Sequence, residues 1–413
     1  MKKSLFILTL MLCCGSLVAQ YKPRPDAFPP EQEPVAAKAI TMASTVEEMA
    51  SWNRYPTYET YLAMMQQWAG DYPTLCTIDT IGTSLQGRLI LSAHIRVDSD
   101  DDLHRPQFFY SSTIHGDEVT GYVMMLHLID TLLSSYGVNQ RLTDLINTTD
   151  IYINPLANPD GTYHSGNHTL QGAERYNANG VDLNRNFPDP FAAVKAPLQQ
   201  ENEAMIAYVA AHNFQLSANL HGGSEVMNYP WDCFTSLQNP HPASDWWIEV
   251  GRRFVDTCRL NGSNHFHDVT PSGVIAGGDW YVIHGGRQDY MNFYHGCLEL
   301  TMEISTAKMI SSNQLPSYWH LLSTSLINYI AEIHNLPSLE DISPITDAHH
   351  RQLTVVPNPV RDNFSVEGLP ANATVEIYDL EGHLRAVGTN AANLPAGLYI
   401  LRAVGQTAPM VKM

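Results

Sequence analysis

The order of apolar and polar positions predicts helices and strands that alternate along most of the chain. Helical patterns cover residues 58–69, 201–212, 245–260 and 318–334. A further helix is indicated by one apolar face, made of Met124, Met125, Leu128, Ile129, Leu132 and Leu133. Short apolar runs over 107–112, 151–154, 214–220 and 298–304 predict strands. This alternation predicts an α/β fold with a sheet covered on both faces.

The pattern changes near the carboxyl end. Residues 353–413 contain short β-type runs separated by turn signals such as Pro357-Asn358-Pro359 and Pro395-Ala396-Gly397. We therefore predict a main domain over 46–336, a linker over 337–351 and a small all-β domain over 352–413.

The amino-terminal end has the pattern of a secretory signal over residues 1–19. Lys2 and Lys3 precede an apolar stretch at 5–12, and Leu17-Val18-Ala19 forms a plausible cleavage site. The apolar stretch is too short to span a bilayer comfortably, so we expect no membrane span. Residues 20–45 are rich in Pro and Ala and lack periodicity, which predicts a mobile leader.

Composition excludes some classes of partner. The chain of 413 residues has 23 basic and 42 acidic side chains, a formal charge of −19. This balance argues against a nucleic-acid partner or an anionic membrane and favours a soluble protein, which we expect to be a monomer. Attraction of basic substrates stays open.

Four cysteines remain after the signal: Cys76, Cys233, Cys258 and Cys297. In an exported protein they could form two disulfides by any of three connectivities, which the sequence does not rank. Buried free thiols are an equally good interpretation.

Three distant segments supply the side chains that a catalytic zinc site needs. His115-Gly116-Asp117-Glu118 offers an imidazole and a carboxylate three residues apart, so that one loop or turn can direct both at one cation. Asn219-Leu220-His221-Gly222-Gly223 adds an imidazole at the end of a predicted strand. Two nitrogens and a carboxylate leave a fourth position for water, as in hydrolytic rather than structural zinc sites.

Hydrolysis also needs a base near the water and positive charge near the developing oxyanion. Glu303 lies within a predicted buried strand, where an acid is costly unless it is paired or functional. Alternation places Glu299 on the same face, and we interpret Glu299 as structural. Arg175 and the pair Asn184-Arg185 supply donors suited to a carboxylate or an oxyanion.

Together these motifs resemble those of the zinc metallocarboxypeptidases. The resemblance rests on His115-x-x-Glu118, on the stretch from Gly180 to Pro188, on His221-Gly222-Gly223 and on Glu303. It is closest to the regulatory branch with carboxypeptidases D, E and N. It implies a mixed eight-stranded sheet flanked by helices, and one Zn²⁺ in the catalytic domain.

The resemblance also implies the roles of the metal-site residues. His115, Glu118 and His221 match the zinc ligands of the family. Asp182 matches the carboxylate that orients the first histidine.

Five further residues match groups that act on the substrate. Glu303 matches the general base, and Arg175 the group that polarises the scissile carbonyl. Asn184 and Arg185 match the residues that bind the terminal carboxylate of a peptide or protein. Tyr281 matches the mobile tyrosine that closes over the bound C-terminus. The resemblance implies hydrolysis of the last peptide bond.

Two residues match the specificity pocket of the regulatory branch. Asp232 falls eleven residues after His221, and Gln288 lies in a Gly-Gly-x-Gln-Asp motif. A carboxylate at the pocket floor would favour a C-terminal Lys or Arg. Arg287 replaces the methionine usual in this motif, and we expect its charge to weaken that preference.

The carboxyl-terminal segment resembles type IX secretion sorting domains, which are small β-sandwiches. The resemblance rests on the stretches 355–360, 375–382 and 394–399. It implies a secretion machinery as partner, transit through the periplasm, and release or surface attachment.

Two other functions remain open from the sequence. The same metal site could act on cell-wall or isopeptide-linked peptides, which would not need a carboxylate at the position of Asp232. A non-catalytic binding module on a degenerate peptidase fold is the other alternative, although such domains usually lose the base or a metal ligand.

Overall fold

The computed structural model describes residues 39–97, 105–189, 191–193, 195–338, 354–367, 375–379, 384–403 and 406–413. The predicted signal at 1–19, the leader up to residue 38 and most of the linker, 339–351, lie outside the described residues.

A short parallel pair of strands opens the described chain. Strand β1 (Met42–Ala43) pairs with β2 (Tyr55–Pro56). The Ser312 amide donates to the Ala39 carbonyl at 3.0 Å, which ties the same segment to a distant part of the chain. Residues 39–45, which the sequence assigned to the leader, are thus hydrogen-bonded to the main domain. The domain boundary itself stays a prediction.

One mixed sheet of eight strands forms the centre of the main domain, with the order β3-β4-β6-β5-β7-β10-β8-β9. Its strands are β3 (Cys76–Thr83), β4 (Leu89–Ile95), β5 (Gln107–Ser112), β6 (Asp150–Asn154), β7 (Phe214–His221), β8 (Ser224–Tyr229), β9 (Val274–Ala276) and β10 (Leu298–Ser305). The central strands β6, β5, β7 and β10 are parallel, whereas β3 and β4 pair with their neighbours in antiparallel fashion. Strand β8 is antiparallel to β10 and parallel to the edge strand β9. The predicted α/β fold with a mixed eight-stranded sheet is confirmed.

The helices of the main domain are α1 (Tyr58–Asp71), α2 (Thr120–Ser135), α3 (Gln140–Thr148), α4 (Pro159–Thr162), α5 (Gln200–Ala210), α6 (Ser244–Asn261), α7 (Gly277–Trp280), α8 (Arg287–His295) and α9 (Leu315–Ala331). Local signals set several ends. The Thr57 hydroxyl accepts from the Thr60 amide at 3.1 Å and caps α1. Gly296 ends α8 in the left-handed region at φ 59°.

Side-chain alternation in the central strands divides the core into two layers. Phe108 and Tyr110 of β5 pack in a cluster with residues of α1, α2, α6 and α9. Phe109, between them, packs on the other face with residues of α5 and α8. Helices therefore cover both faces of the sheet, and the carboxyl ends of the parallel strands remain available for a site.

The carboxyl-terminal segment forms short antiparallel strands. They are β11 (Thr354–Val356), β12 (Ser365–Glu367), β13 (Glu376–Tyr378), β14 (Leu384–Val387), β15 (Gly397–Ala403) and β16 (Gln406–Lys412). They make a two-stranded sheet and a four-stranded sheet in the order β14-β13-β15-β16. Val360, Phe364, Ile377 and Leu401 belong to a separate apolar cluster. These small antiparallel sheets agree with the predicted all-β unit.

All four cysteines of the described chain are buried free thiols. Of the two interpretations that the sequence left open, the structure therefore has the free thiols. No helix in the described ranges is both long and apolar enough to cross a membrane.

Candidate metal centre and active-site cleft

The three predicted metal ligands meet at the ends of neighbouring strands. His115 and Glu118 lie in the loop that follows β5, and His221 is the last residue of β7. A Cβ on Gly116 would lie 2.4 Å from the Gly161 backbone, so only glycine allows this close approach of the loop. Glu303 of β10 is the register partner of His221.

The ligand atoms converge on one point. His221 Nδ1 lies 2.8 Å from Glu118 Oε2, and His115 Nδ1 lies 3.1 Å from Glu118 Oε1. The two Nδ1 atoms are 3.0 Å apart. All three side chains are buried. One ligand atom from each lies within 4.8 Å of the other two, and in the described part of the chain this is the group of three potential metal ligands that meets this distance.

The far nitrogen of each imidazole has its own partner. His115 Nε2 lies 3.1 Å from Asp182 Oδ1, and His221 Nε2 lies 2.9 Å from the Asn219 side-chain amide. Asn219 Oδ1 is buried and has no hydrogen-bond partner in the described chain. Rotation of this amide would let the oxygen accept from His221 Nε2–H. Both Nδ1 atoms would then be unprotonated, as zinc requires, so the residues fit this metal.

Charge interactions keep the ligand set in the forms that bind a cation. Burial alone would raise the pKa of Glu118, but the charge of His115, with hydrogen bonds from both histidines, holds it well below its usual value. Burial lowers the pKa of His221 to about 4, which favours the neutral imidazole. Burial would also raise the pKa of Asp182, yet His115 and Arg175 lower it.

Glu303 has the environment of a proton acceptor and donor. Its carboxylate is buried, and Oε2 has no hydrogen-bond partner among the described residues. It lines one cavity together with His115, Glu118 and His221. Burial, followed by the nearby Glu118, raises the pKa of Glu303 well above its usual value. A carboxylate with a raised pKa can take up a proton and release it again near neutral pH.

Positive groups line another side of the cavity. Arg175 contacts Asp182 through Nε and Nη2, both at 2.9 Å, and its Nη1 lies 3.4 Å from Glu118 Oε1. Asn184 and Arg185 belong to a 3-10 turn (Leu183–Arg185) that Asp182 caps by accepting from the Asn184 amide at 2.9 Å. Arg175, Asn184 and Arg185 all line the cavity.

A second buried acid lines the cavity. Asp232 is 4% exposed, and its Oδ1 accepts from Gln288 Nε2 at 2.9 Å. Burial, with the neighbouring Asp289, raises the pKa of Asp232 well above its usual value. Tyr281 also lines the cavity, at the carboxyl end of α7. The structure thus brings the predicted site residues together.

Sequence reasoning missed three lining residues: Asn228, Ile283 and Thr301. Thr301 carries a usable signal, because strand alternation places it on the same face as Glu303. Asn228 is its register partner on β8, a pairing that only the sheet reveals.

Fold and site together define a class of α/β proteins with a candidate metal centre at the carboxyl ends of the central strands. The family described as "Zinc carboxypeptidase" matches residues 61–324, and the chain belongs to this family. The family name and the donor set agree on Zn²⁺ as the cofactor.

Individual relatives refine this assignment. Carboxypeptidase D of Mus musculus is 32% identical over 295 residues, which are 68% of this chain and 21% of that protein. Carboxypeptidase M of Mus musculus is 34% identical over 307 residues, with coverages of 68% and 66%. The chain thus spans about a fifth of the length of carboxypeptidase D.

Solved structures support the fold. The structure of carboxypeptidase A from Helicoverpa armigera gives a TM-score of 0.59 at 20% identity, over 70% of this chain and 76% of that one. The likeness shows that the main domain has the carboxypeptidase fold.

Proposed function

We propose that this chain is an exported zinc metallocarboxypeptidase that hydrolyses the last peptide bond of peptides and proteins, with a preference for C-terminal Lys or Arg. One observation carries the proposal. A single cavity is lined by the metal triad, by the buried acid Glu303, by the donors Asn184 and Arg185, and by the buried carboxylate of Asp232.

His115, Glu118 and His221 would hold the zinc ion, which supplies a Lewis acid for a carbonyl oxygen and lowers the pKa of bound water. Glu303 removes a proton from the attacking water and later delivers it to the leaving amine. Arg175, held by Asp182, donates to the carbonyl oxygen as negative charge develops there.

Recognition of a chain end needs donors for a free carboxylate. The guanidinium group of Arg185 offers N–H donors for both oxygens of a carboxylate. Asn184 is the preceding residue, and its Oδ1 accepts a hydrogen bond from the Arg287 backbone amide at 2.9 Å. Tyr281 closes over the bound end. An internal peptide segment has no carboxylate for this grip, so the arrangement favours exopeptidase over endopeptidase activity.

Preference for a basic last residue follows from Asp232. This buried acid has an amide as its hydrogen-bond donor, and a substrate ammonium or guanidinium would supply the missing positive partner.

The test is a panel of peptides that differ only in the last residue: Lys, Arg, Leu and Glu. We expect zinc-dependent release of the last residue, fastest for Lys and Arg, lost with chelator and restored by zinc. Peptides with an amidated carboxyl end are the matched control and should stay intact. Equal cleavage of the amidated peptides would contradict the proposal. If the protein cleaves only isopeptide-linked or cell-wall peptides, the result would favour a zinc peptidase for those substrates. If the purified protein contains no zinc and is inactive, the result would favour a non-catalytic binding module.

We also propose export through residues 1–19 and sorting through residues 352–413, with the secretion machinery as partner and the cell surface or medium as destination. The proposal rests on the motifs in both segments. Deletion of 352–413 should leave active enzyme in the periplasm, as measured by fractionation. If the enzyme without residues 352–413 still reached the medium in the wild-type amount, this result would contradict the sorting role of the segment. A monomer by light scattering is the expected oligomeric state.

A further inference from the structure

A buried cation lies next to the specificity pocket. Arg287 is the first residue of α8 and is 1% exposed. Its Nη2 lies 3.1 Å from Glu299 Oε2, and its guanidinium carbon lies 4.9 Å from the centre of the Phe109 ring. Glu299 is fully buried and also accepts from the Ser217 hydroxyl at 2.7 Å. The two charges therefore form an ion pair inside the core.

Both residues of this pair lie on elements that line the pocket, β10 and α8. Glu299, Thr301 and Glu303 alternate on one face of β10, and Thr301 and Glu303 line the cavity. On the helix side, Gln288 follows Arg287 directly and donates to Asp232. Arg287 is thus adjacent in the chain to Gln288, and Glu299 lies two residues before Thr301. Gln288 and Thr301 both help to shape the pocket.

Each charge of the pair needs the other. All three guanidinium nitrogens of Arg287, and Glu299 Oε1, are buried without a hydrogen-bond partner among the described residues, so the contact between Arg287 Nη2 and Glu299 Oε2 is an ion pair rather than a hydrogen bond. Burial raises the pKa of Glu299, and the Arg287 guanidinium opposes this effect. Removal of one partner would leave an uncompensated charge close to the pocket.

The charge of Glu299 also reaches the pocket acid. Burial and Asp289 raise the pKa of Asp232, and Glu299 raises it further. A change in the charge balance of the pair should therefore change the potential at Asp232.

From these contacts we propose that Glu299 is a specificity-determining residue that neutralises Arg287, so that a basic substrate side chain in the pocket meets no uncompensated guanidinium. The inference rests on the proposed carboxypeptidase function. It also replaces the expectation that Arg287 weakens the basic preference, because its charge is compensated inside the core.

Three variants of the full chain test the pair: Glu299→Gln, Arg287→Met and the double variant. The quantity measured is the ratio of kcat/KM for a Lys-terminated peptide to that for the matched Leu-terminated peptide. In Glu299→Gln the guanidinium keeps its charge without a partner, so the ratio should fall by about tenfold. In Arg287→Met the ratio should stay at or above the wild-type value. The double variant should return to within about threefold of wild type, because a neutral pair is restored.

A purely structural role gives a different result. It would change kcat/KM for the Lys and Leu peptides by the same factor, and each variant would leave the ratio unchanged. That result, or a ratio in the double variant as low as in Glu299→Gln, overturns the inference. The double variant also guards against misfolding, since a neutral replacement of a buried ion pair is well tolerated.

Wild-type activity separates the two proposals. If the wild-type protein cleaves neither peptide, the proposed function fails. If the wild type prefers Lys and the variants do not alter the ratio, only the role of the pair fails.

Discussion

At the scale of single residues, Asp182 organises the site. Its carboxylate contacts His115 Nε2, two nitrogens of Arg175 and the backbone amide of Asn184, at 2.9 to 3.1 Å. One side chain therefore contacts a predicted metal ligand, the proposed donor for the oxyanion and the turn that carries the proposed carboxylate-binding residues. The sequence suggested the first of these contacts, whereas the other two became visible only in the structure.

Asp182→Asn should weaken zinc binding by about 10–100-fold, because the amide no longer stabilises the orientation and basicity of His115. Competition with a chelator of known affinity measures the loss. Asp256→Asn, at an exposed position of α6, is the matched control and should bind zinc as the wild type does. Equal affinities for Asp182→Asn and wild type would contradict the role of Asp182.

Glu303→Gln should reduce kcat by roughly 10²–10⁴-fold, because an amide cannot accept the proton of water. Zinc content, measured by elemental analysis, should remain at one per chain. Glu203→Gln replaces an exposed glutamate of α5 and should leave kcat unchanged. Full activity of Glu303→Gln would exclude Glu303 as the base.

At the scale of elements, close approach between segments shapes the pocket. Gly277 begins α7, and a Cβ at this position would lie 1.9 Å from Asp232 Oδ1 and 2.6 Å from Asn228 Oδ1. The start of α7 is thus in contact with the acid and the amide that line the cavity. Glycine here provides space for the pocket rather than an unusual backbone angle.

Gly277→Ala should displace Asp232 and lower kcat/KM for Lys-terminated peptides by about tenfold, in line with an overpacking cost of roughly 1–3 kcal/mol. Gly70→Ala is the matched control, since a Cβ there meets nothing within 4 Å and alanine favours the helix. Steady-state kinetics on the two variants provide the comparison. Unchanged kinetics of Gly277→Ala would show that the pocket relaxes freely.

At the scale of the whole molecule, several histidines that are buried or half-buried remain neutral in the fold. Burial lowers the pKa of His94 to about 3 and those of His127 and His241 to about 4, from 6.5. The unfolded chain binds protons at these positions below pH 6.5, and the folded chain does not until pH 3 to 4. The contribution of these histidines to the free energy of unfolding should therefore fall as the pH drops from about 6.5 toward 4.

Urea unfolding at about pH 7.5 and about pH 5 measures this contribution. The free energy of unfolding of His241→Gln, relative to that of the wild type, should be higher at about pH 5 than at about pH 7.5, because protonation of this ring no longer favours the unfolded chain. His320→Gln, at an exposed position, should leave the difference unchanged. The same relative stability of His241→Gln at both pH values would contradict the assignment of a neutral ring in the fold.

Comparison of prediction and structure shows where local patterns suffice. Strand β5 has the predicted bounds, 107–112, and β10 ends one residue beyond its prediction. Helix α9 begins at Leu315 rather than at 318, because Pro316 can occupy a first helical turn. Apolar periodicity identifies the body of an element, whereas the terminal residues depend on caps and neighbouring contacts.

The sequence by itself determined the α/β class, the candidate metal ligands and the proposed base, because these depend on periodicity and on short motifs of chemically distinctive residues. The tertiary structure decided which neighbours those residues have. It placed Glu303 beside His221 through strand register, Thr301 opposite Asn228, and the Arg287 guanidinium against Glu299. Such contacts join residues far apart in the chain, and their geometry depends on how the packed elements fit together, which no local pattern encodes.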